Sequence, residues 1–170
     1  MERLWTPWRR AFVEGAPGNG SDECFLCANP AAHDDRANLI LVRADQAYAL
    51  LNLYPYNSGH LMVAPYLHTG DLAALDPAIA TELMRLTQRC VDVLQRAVEA
   101  LTAEYRAEGF NVGMNQGRAA GAGIEDHLHI HVVPRWIGDT NFMPIVGETK
   151  VLPESLDQTY DRLEPFFRRA

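Results

Sequence analysis

The 170-residue chain lacks the features of several common protein classes. It has no apolar run near the roughly 18 residues of a membrane span, and its first residues, Met-Glu-Arg-Leu-Trp, lack the apolar core of a signal peptide. Positive charge is not in surplus either, because the formal net charge is -7. We therefore expect a cytoplasmic protein that binds no membrane and has no basic surface for a nucleic-acid backbone.

Cysteine is also scarce, with three in the chain, and two of them form the pair Cys24-Phe25-Leu26-Cys27. In a reducing compartment such spacing indicates metal binding or redox chemistry before it indicates a disulfide. A redox pair is the weaker alternative, because no strand precedes the motif as in a thioredoxin-like arrangement, and two buried thiols are a further alternative. A tetrahedral zinc site needs two more ligands, and three histidines are candidates: His33, His68 and His127. Cys90 lies in a helical pattern and is predicted to pack in the core.

The order of predicted strands and helices indicates one α+β domain with a mainly antiparallel sheet of five strands. Apolar residues make up 48% of the chain and charged residues 22%, as in ordinary globular proteins. Strands are predicted at 38–43, 47–52, 60–65, 110–115 and 126–134. Asp76-Pro77 opens a long helix that Gly109 closes, a shorter helix is predicted after Pro153, and 14–35 is expected to be a loop-rich knuckle. The long helix is predicted to bury Ile79, Leu83, Leu86, Cys90, Leu94, Ala97 and Leu101.

Three histidines alternate with apolar residues in His127-Leu128-His129-Ile130-His131-Val132-Val133-Pro134. Alternate positions of a strand point to the same face, so three imidazoles would line one surface while the apolar residues face the core. A single histidine at such a position is usually structural. Three in alternation indicate chemistry, because packing would favour Val or Ile and each buried ring nitrogen needs a partner.

Two kinds of chemistry suit these rings. They could be the three ligands of a catalytic zinc, with a fourth position left for water. Alternatively, one neutral imidazole could attack phosphorus and form a covalent phosphoramidate. The preceding segment 115–123 favours the second interpretation, because its Gly and Ala residues let main-chain amides approach a phosphate closely.

The motif at 127–133 resembles the His-φ-His-φ-His-φ-φ signature of the histidine-triad family, where φ is apolar. The resemblance extends to Asn52, to the segment 58–63 and to Asn115 with Gly117. It implies that His129 is the nucleophile, that His131 contacts the α-phosphate and that His127 completes the triad. It also implies that His60 orients the triad from behind, that Asn52 binds the ribose and that Asn115 binds a phosphate or the leaving group. The phosphate-binding loop would include Gly117, Gly121 and Gly123.

Within that family the chain resembles the bacterial branch that includes diadenosine tetraphosphate phosphorylases and hydrolases, on the strength of residues 4–9 and 134–142. This implies dinucleoside polyphosphates or adenylyl conjugates as substrates, with Mg²⁺ carried by the polyphosphate. Hydrolases of the branch usually have Gln at the position of Gly123, and phosphorylases often have Ser. The acceptor, water or phosphate, therefore stays open.

The resemblance also implies that His68 and His127 are the two further ligands of a structural zinc site with Cys24 and Cys27. It implies a homodimer, and a single domain over 1–170 with an N-terminal segment 1–37, a core 38–136 and a C-terminal extension 137–170. Two other function classes remain possible. One is a catalytic-zinc hydrolase that uses the three strand histidines, and the other is a non-catalytic nucleotide-binding module.

Overall fold

Five short strands form one antiparallel sheet in the computed structural model, which describes residues 24–99, 107–139 and 154–168. The sheet order is β1-β2-β3-β5-β4, and each neighbouring pair is antiparallel. The predicted α+β class and its five-stranded antiparallel sheet are confirmed. The strands are β1 (Ile40–Arg43), β2 (Ala47–Leu51), β3 (Leu61–Pro65), β4 (Gly109–Gly113) and β5 (Ile130–Arg135).

The two faces of the sheet are covered by different parts of the chain. Strands β2 and β3 are buried along their whole length, as expected for apolar runs without alternation. One face packs against the two longer helices, α2 (Pro77–Glu99) and α3 (Leu156–Arg168). The other face packs against the short helix α1 (Phe25–Ala31). The candidate functional residues lie on this second face.

Helix α2 begins where the sequence predicts it. The Asp76 carboxylate accepts a hydrogen bond of 2.7 Å from the amide of Ala78, and Pro77 occupies the first turn. Cys90 is fully buried, and burial raises the pKa of its thiol to about 12. Five residues of the predicted apolar face are buried: Ile79, Leu83, Leu86, Cys90 and Leu94. Val93 is also buried, although it was not predicted. Residues 100–106, where the predicted helix would continue, lie outside the described residues.

Helix α3 confirms the predicted C-terminal helix. Ser155 and Gln158 form a capping box, in which the Ser155 hydroxyl accepts from the Gln158 amide and the Gln158 side chain accepts from the Ser155 amide. Leu163 and Phe167 are buried in the core. The Tyr160 hydroxyl donates a 3.0 Å hydrogen bond to the carbonyl of Ile40, which ties the helix to β1.

The segment 14–35, predicted to be a loop-rich knuckle, contains the seven-residue helix α1, which begins directly after Cys24. Residues 14–23 lie outside the described residues. Pro30 disguises this helix in the sequence, because a proline has no amide to donate to the carbonyl four residues earlier. That carbonyl, on Leu26, instead accepts a 2.6 Å hydrogen bond from the buried Tyr48 hydroxyl. A side chain of β2 therefore replaces the missing helical hydrogen bond.

Strand β5 begins at Ile130, four residues after the predicted start. Before Ile130, the chain runs beside the loop that follows β3 and does not pair with any of the described strands. The amide of Leu128 donates a 2.7 Å hydrogen bond to the carbonyl of Thr69 in that loop. The alternation nevertheless persists through both parts of the segment. Leu128, Ile130 and Val132 all join the core under the helices.

No helix among the described residues is both long and apolar enough to cross a membrane. Residues 4–9 and 140–142, which contribute to the family resemblance, lie outside the described residues. The predicted core residues Ala97 and Leu101 are not tested either, because the structure does not describe the side chain of Ala97 or any part of Leu101.

The hydrogen bond between Tyr48 and Leu26 can be tested by substitution. Tyr48→Phe is expected to lower the free energy of unfolding by about 1–3 kcal/mol, because it leaves a buried carbonyl unpaired. In a Pro30→Ala background this loss should shrink, because residue 30 then has an amide for the Leu26 carbonyl. Urea unfolding of the four proteins measures both losses, and equal losses in the two backgrounds would contradict the explanation.

Candidate active site and metal centre

A row of cross-strand neighbours forms the floor of the candidate site. His131 of β5 lies opposite Met62 of β3, Met62 lies opposite Leu50 of β2, and Leu50 lies opposite Ile40 of β1. Directly opposed residues share one face of a sheet. The row therefore leads from a histidine at one end to apolar side chains at the other.

A cavity of about 240 Å³ lies over this row. His129 and His131 line it together with Asn52, Asn115 and several apolar side chains. An apolar cavity with a few polar groups is the usual form of a small-molecule site. Its lining also includes Phe25, Asn29, Leu39, Leu50, Leu53, Tyr54, Met62, Gly121, Gly123 and Ile124.

The His129 ring is held in one tautomer by the main chain. Its Nδ1 lies 2.8 Å from the carbonyl oxygen of His127, and a carbonyl can only accept, so Nδ1 carries the proton. The lone pair is then on Nε2, which has no hydrogen-bond partner among the described residues. Burial, partly opposed by that carbonyl, lowers the pKa of His129 and keeps the ring neutral. The ring can act as a nucleophile.

The His131 ring is oriented by a second histidine behind it. The amide of Tyr56 donates to Nδ1 of His60 at 3.0 Å, which leaves the proton of a neutral His60 on Nε2. That Nε2 lies 3.0 Å from Nδ1 of His131 and donates to it. His131 therefore carries its own proton on Nε2 and can donate it to an anion. His60 is fully buried and stacks on the Tyr56 ring, with centroids 5.0 Å apart.

The loop before the histidines is built around two glycines with left-handed backbone. Gly117 has φ 75° and Gly121 φ 78°, and they flank the 3₁₀ helix Arg118–Ala120. Gly121, Gly123 and Asn115 line the cavity, whereas Gly117 does not. Asn52 also lines it, with its Oδ1 accepting from the amide of Tyr54 at 2.9 Å. The predicted substrate-binding residues, apart from Gly117, therefore surround one cavity.

His127 points to a different group of side chains. Its Nδ1 lies 3.3 Å from Sγ of Cys24, 3.5 Å from Sγ of Cys27 and 3.3 Å from Nδ1 of His68. All four ligand atoms lie within 4.8 Å of one another. In the part of the chain that the structure describes, this is the one group of three or more such residues that could hold a metal ion. His33, the other candidate, is not a member.

The geometry of these four residues fits a tetrahedral ion. Bonds of about 2.0–2.3 Å to a central zinc would separate the ligand atoms by about 3.3–3.8 Å, as observed for the close pairs. The Nε2 of His127 donates to the carbonyl of Pro65 at 2.8 Å, so the Nδ1 lone pair faces the sulfurs. Burial lowers the pKa of His127, which keeps the ring in the neutral form that a ligand requires.

The three triad histidines do not form a metal-binding group with one another. His127 joins the cysteines and does not line the cavity, whereas His129 and His131 line it with ring centroids 4.9 Å apart. The segment thus serves two neighbouring sites on the same face of the sheet.

Several cavity residues were not predicted from the sequence. Phe25 and Asn29 come from α1 at spacing i, i+4, and the spacing has meaning only once the segment is known to be helical. Leu39 has φ 58°, a left-handed conformation that its sequence does not signal. Tyr54 and Ile124 lie in irregular segments. No periodic pattern could have found them.

The chain belongs to the HIT domain family, whose model matches residues 35–136. It is 41% identical to a Mycobacterium tuberculosis protein named AP-4-A phosphorylase over 166 residues, which cover 94% of this chain and 80% of that relative. It is also 31% identical to a bis(5'-adenosyl)-triphosphatase of Saccharomyces cerevisiae over 97 residues, 57% of this chain and 44% of the relative.

A solved structure supports the same family assignment. The crystal structure of a Zn-bound histidine triad family protein from Mycobacterium smegmatis superposes with a TM-score of 0.65 and 25% identity, covering 88% of this chain and 96% of that one.

Gly70 sets how closely the loop after β3 approaches the segment that leads to His127. A Cβ at residue 70 would lie 2.3 Å from the carbonyl oxygen of Glu125, so Gly70→Ala must displace main chain. We expect it to lower the free energy of unfolding by about 1–3 kcal/mol. Gly113→Ala is the control, because a Cβ there meets nothing within 4 Å. Denaturant unfolding measures the free energy of unfolding of both variants. An equal loss in the two would show that the close approach at Gly70 does not restrict the side chain at this position.

Proposed function

We propose that this protein cleaves dinucleoside polyphosphates such as diadenosine tetraphosphate at the α-phosphate, through a covalent nucleotidyl intermediate on His129. The observation that carries the proposal is the His129 ring, whose Nδ1 is held by a carbonyl in a residue that lines the cavity. The relatives named for reactions of diadenosine polyphosphates support this substrate class.

In the first step, Nε2 of His129 attacks the α-phosphorus, a P–N bond forms, and the bond to the oxygen of the leaving polyphosphate breaks. With diadenosine tetraphosphate the leaving group is ATP, and AMP stays on the histidine. His131 donates its Nε2 proton as a hydrogen bond to an α-phosphate oxygen, and the amides around Gly121 and Gly123 contribute further donors. Asn52 would bind the ribose and Asn115 a phosphate or the leaving group.

In the second step, we propose that inorganic phosphate attacks the nucleotidyl-histidine. The P–N bond breaks, His129 regains its lone pair, and ADP leaves, so the products are ATP and ADP. The name of the 41% identical relative supports phosphate as acceptor. Gly123 does not favour either acceptor, because both the glutamine usual in hydrolases and the serine frequent in phosphorylases are absent from that position.

A catalytic zinc held by all three strand histidines is disfavoured, because the His127 ring lies in a different group of side chains from His129 and His131. His127 shares its cluster with two cysteines and His68, and a zinc held by four protein ligands has no open position for water. We propose that His127 acts as a ligand there, and that its contribution to the active site is its main-chain carbonyl.

The central test combines product analysis with substitution of the nucleophile. Purified protein with diadenosine tetraphosphate should yield ATP and ADP only when phosphate is added, as separated and identified by mass. His129→Ala should lower kcat by at least about 10³-fold, because no covalent intermediate can form. A rapidly quenched wild-type reaction should show the protein heavier by one AMP. Full turnover by His129→Ala would exclude the nucleophile role, and AMP as the product in place of ADP would exclude phosphate as the acceptor.

We also propose that Cys24, Cys27, His68 and His127 hold a structural zinc ion. The Zn-bound relative of similar fold supports the choice of metal, and two thiolates with two imidazoles are a typical structural donor set. Such a closed site would link the start of α1, where Cys24 is the N-cap and Cys27 lies in the first turn, to the loop after β3 and to the segment leading into β5.

Zinc binding predicts a difference between two histidine substitutions. His68→Ala should lose bound zinc and lower the Tm, because it removes a ligand. His33→Ala is the matched control, since His33 is exposed, near α1 and outside the cluster. Elemental analysis should find one zinc per chain in the wild type and in His33→Ala, and less in His68→Ala. Equal zinc in both variants would rule out the assigned ligand set.

Further expectations follow from the family resemblance. Mg²⁺ would enter on the polyphosphate, because the metal-ligating group among the described residues consists of cysteine and histidine rather than carboxylates. A homodimer would use strand β4, which lies at the end of the sheet and has Val112 48% exposed. A cytoplasmic location stays a prediction.

A further inference from the structure

We infer that Asn29 is a specificity-determining residue that selects adenine, by pairing its side-chain amide with the N6 and N7 edge of the base. This inference rests on the proposed function, because it takes the cavity as the nucleotide site. It begins from the position of α1, which contributes Phe25 and Asn29 to the cavity wall on one helical face.

The floor of the cavity indicates where a base would lie. Neighbouring strands are about 4.8 Å apart, so Leu50, two strands from His131, lies about 10 Å from it across the sheet. This is comparable with the span from the phosphate of a nucleotide to its base. A nucleotide with its α-phosphate at the histidines would therefore place its base over Met62 and Leu50.

Helix α1 covers this apolar end of the row. Its Leu26 is buried in the same cluster as Leu50 and Met62, and Phe25 packs against that cluster from the cavity side. Asn29 is the next residue of α1 on the face of Phe25. A polar amide is thereby placed at the apolar end of the cavity, at the edge of the base.

The other side-chain amides of the cavity are partly engaged in hydrogen bonds or lie elsewhere. Asn38 donates its Nδ2 to the carbonyl of Asp34 at 2.8 Å, and Asn52 accepts from Tyr54. Asn115 follows β4, on the opposite side of His131 from Met62. The Asn29 amide has no hydrogen bond to any residue in 24–99, 107–139 or 154–168, so both its donor and its acceptor are available.

An asparagine amide matches adenine and not guanine at this edge. Adenine offers a donor at N6 and an acceptor at N7, which pair with Oδ1 and Nδ2 of asparagine. Guanine offers acceptors at O6 and N7, so its O6 would face Oδ1 of asparagine without a proton between them. An asparagine here therefore favours adenine by roughly 5- to 150-fold.

Equilibrium binding of nucleoside monophosphates tests the inference without turnover. The wild type should bind AMP more tightly than GMP by that factor, and should bind 7-deaza-AMP and the 6-unsubstituted purine monophosphate more weakly than AMP. In Asn29→Ala these differences should fall to within about twofold. Phe25→Leu is the matched control from the same wall, and it should weaken all four ligands alike and keep their order.

Two results would overturn the inference. One is an AMP-to-GMP ratio in Asn29→Ala equal to that of the wild type. The other is equal wild-type affinity for AMP and its two analogues, a measurement that holds even if the variant does not fold. Failure of the proposed function is separable, because it would appear as absent turnover of diadenosine tetraphosphate whatever the base preference in binding.

Discussion

Side chains 127–132 alternate between two faces, and this alternation positions both sites. Leu128, Ile130 and Val132 enter the core beneath α2, which fixes the register of the segment. His127 then faces the cysteines, while His129 and His131 face the cavity. A slip by one residue would send the histidines into the core and turn the apolar residues towards the cysteines and the cavity. The burial of three apolar side chains is thus what holds the imidazoles in place.

Main-chain groups then determine which nitrogen of each ring carries the proton. Carbonyls of His127 and Pro65 accept from His129 and His127, and the Tyr56 amide donates to His60. Since a carbonyl only accepts and an amide only donates, each contact selects one tautomer. The backbone therefore leaves a lone pair on His129 and a proton on His131. Complementary roles arise from identical side chains because their partners differ.

The sequence predicts those parts of the molecule that follow a period or a motif. Helix α2 has its cap at Asp76 and its apolar face, the strands have apolar runs, and the histidines alternate. Helix α1 could not be predicted, because Pro30 obscures it and the compensating donor, Tyr48, is distant in sequence. The apolar end of the cavity was missed for the same reason, since Phe25 and Asn29 reach it from α1. Tertiary contacts, not local pattern, create that wall.

His127 serves the two sites with different parts of itself. Its ring lies among the cysteines, whereas its carbonyl oxygen holds the His129 ring. Every amino acid has such a carbonyl, so a substitution at residue 127 could remove the proposed zinc ligand and leave the tautomer of His129 unchanged. On the proposed function, gain or loss of a zinc ion during divergence would be uncoupled from catalysis wherever the chain keeps its path at this residue.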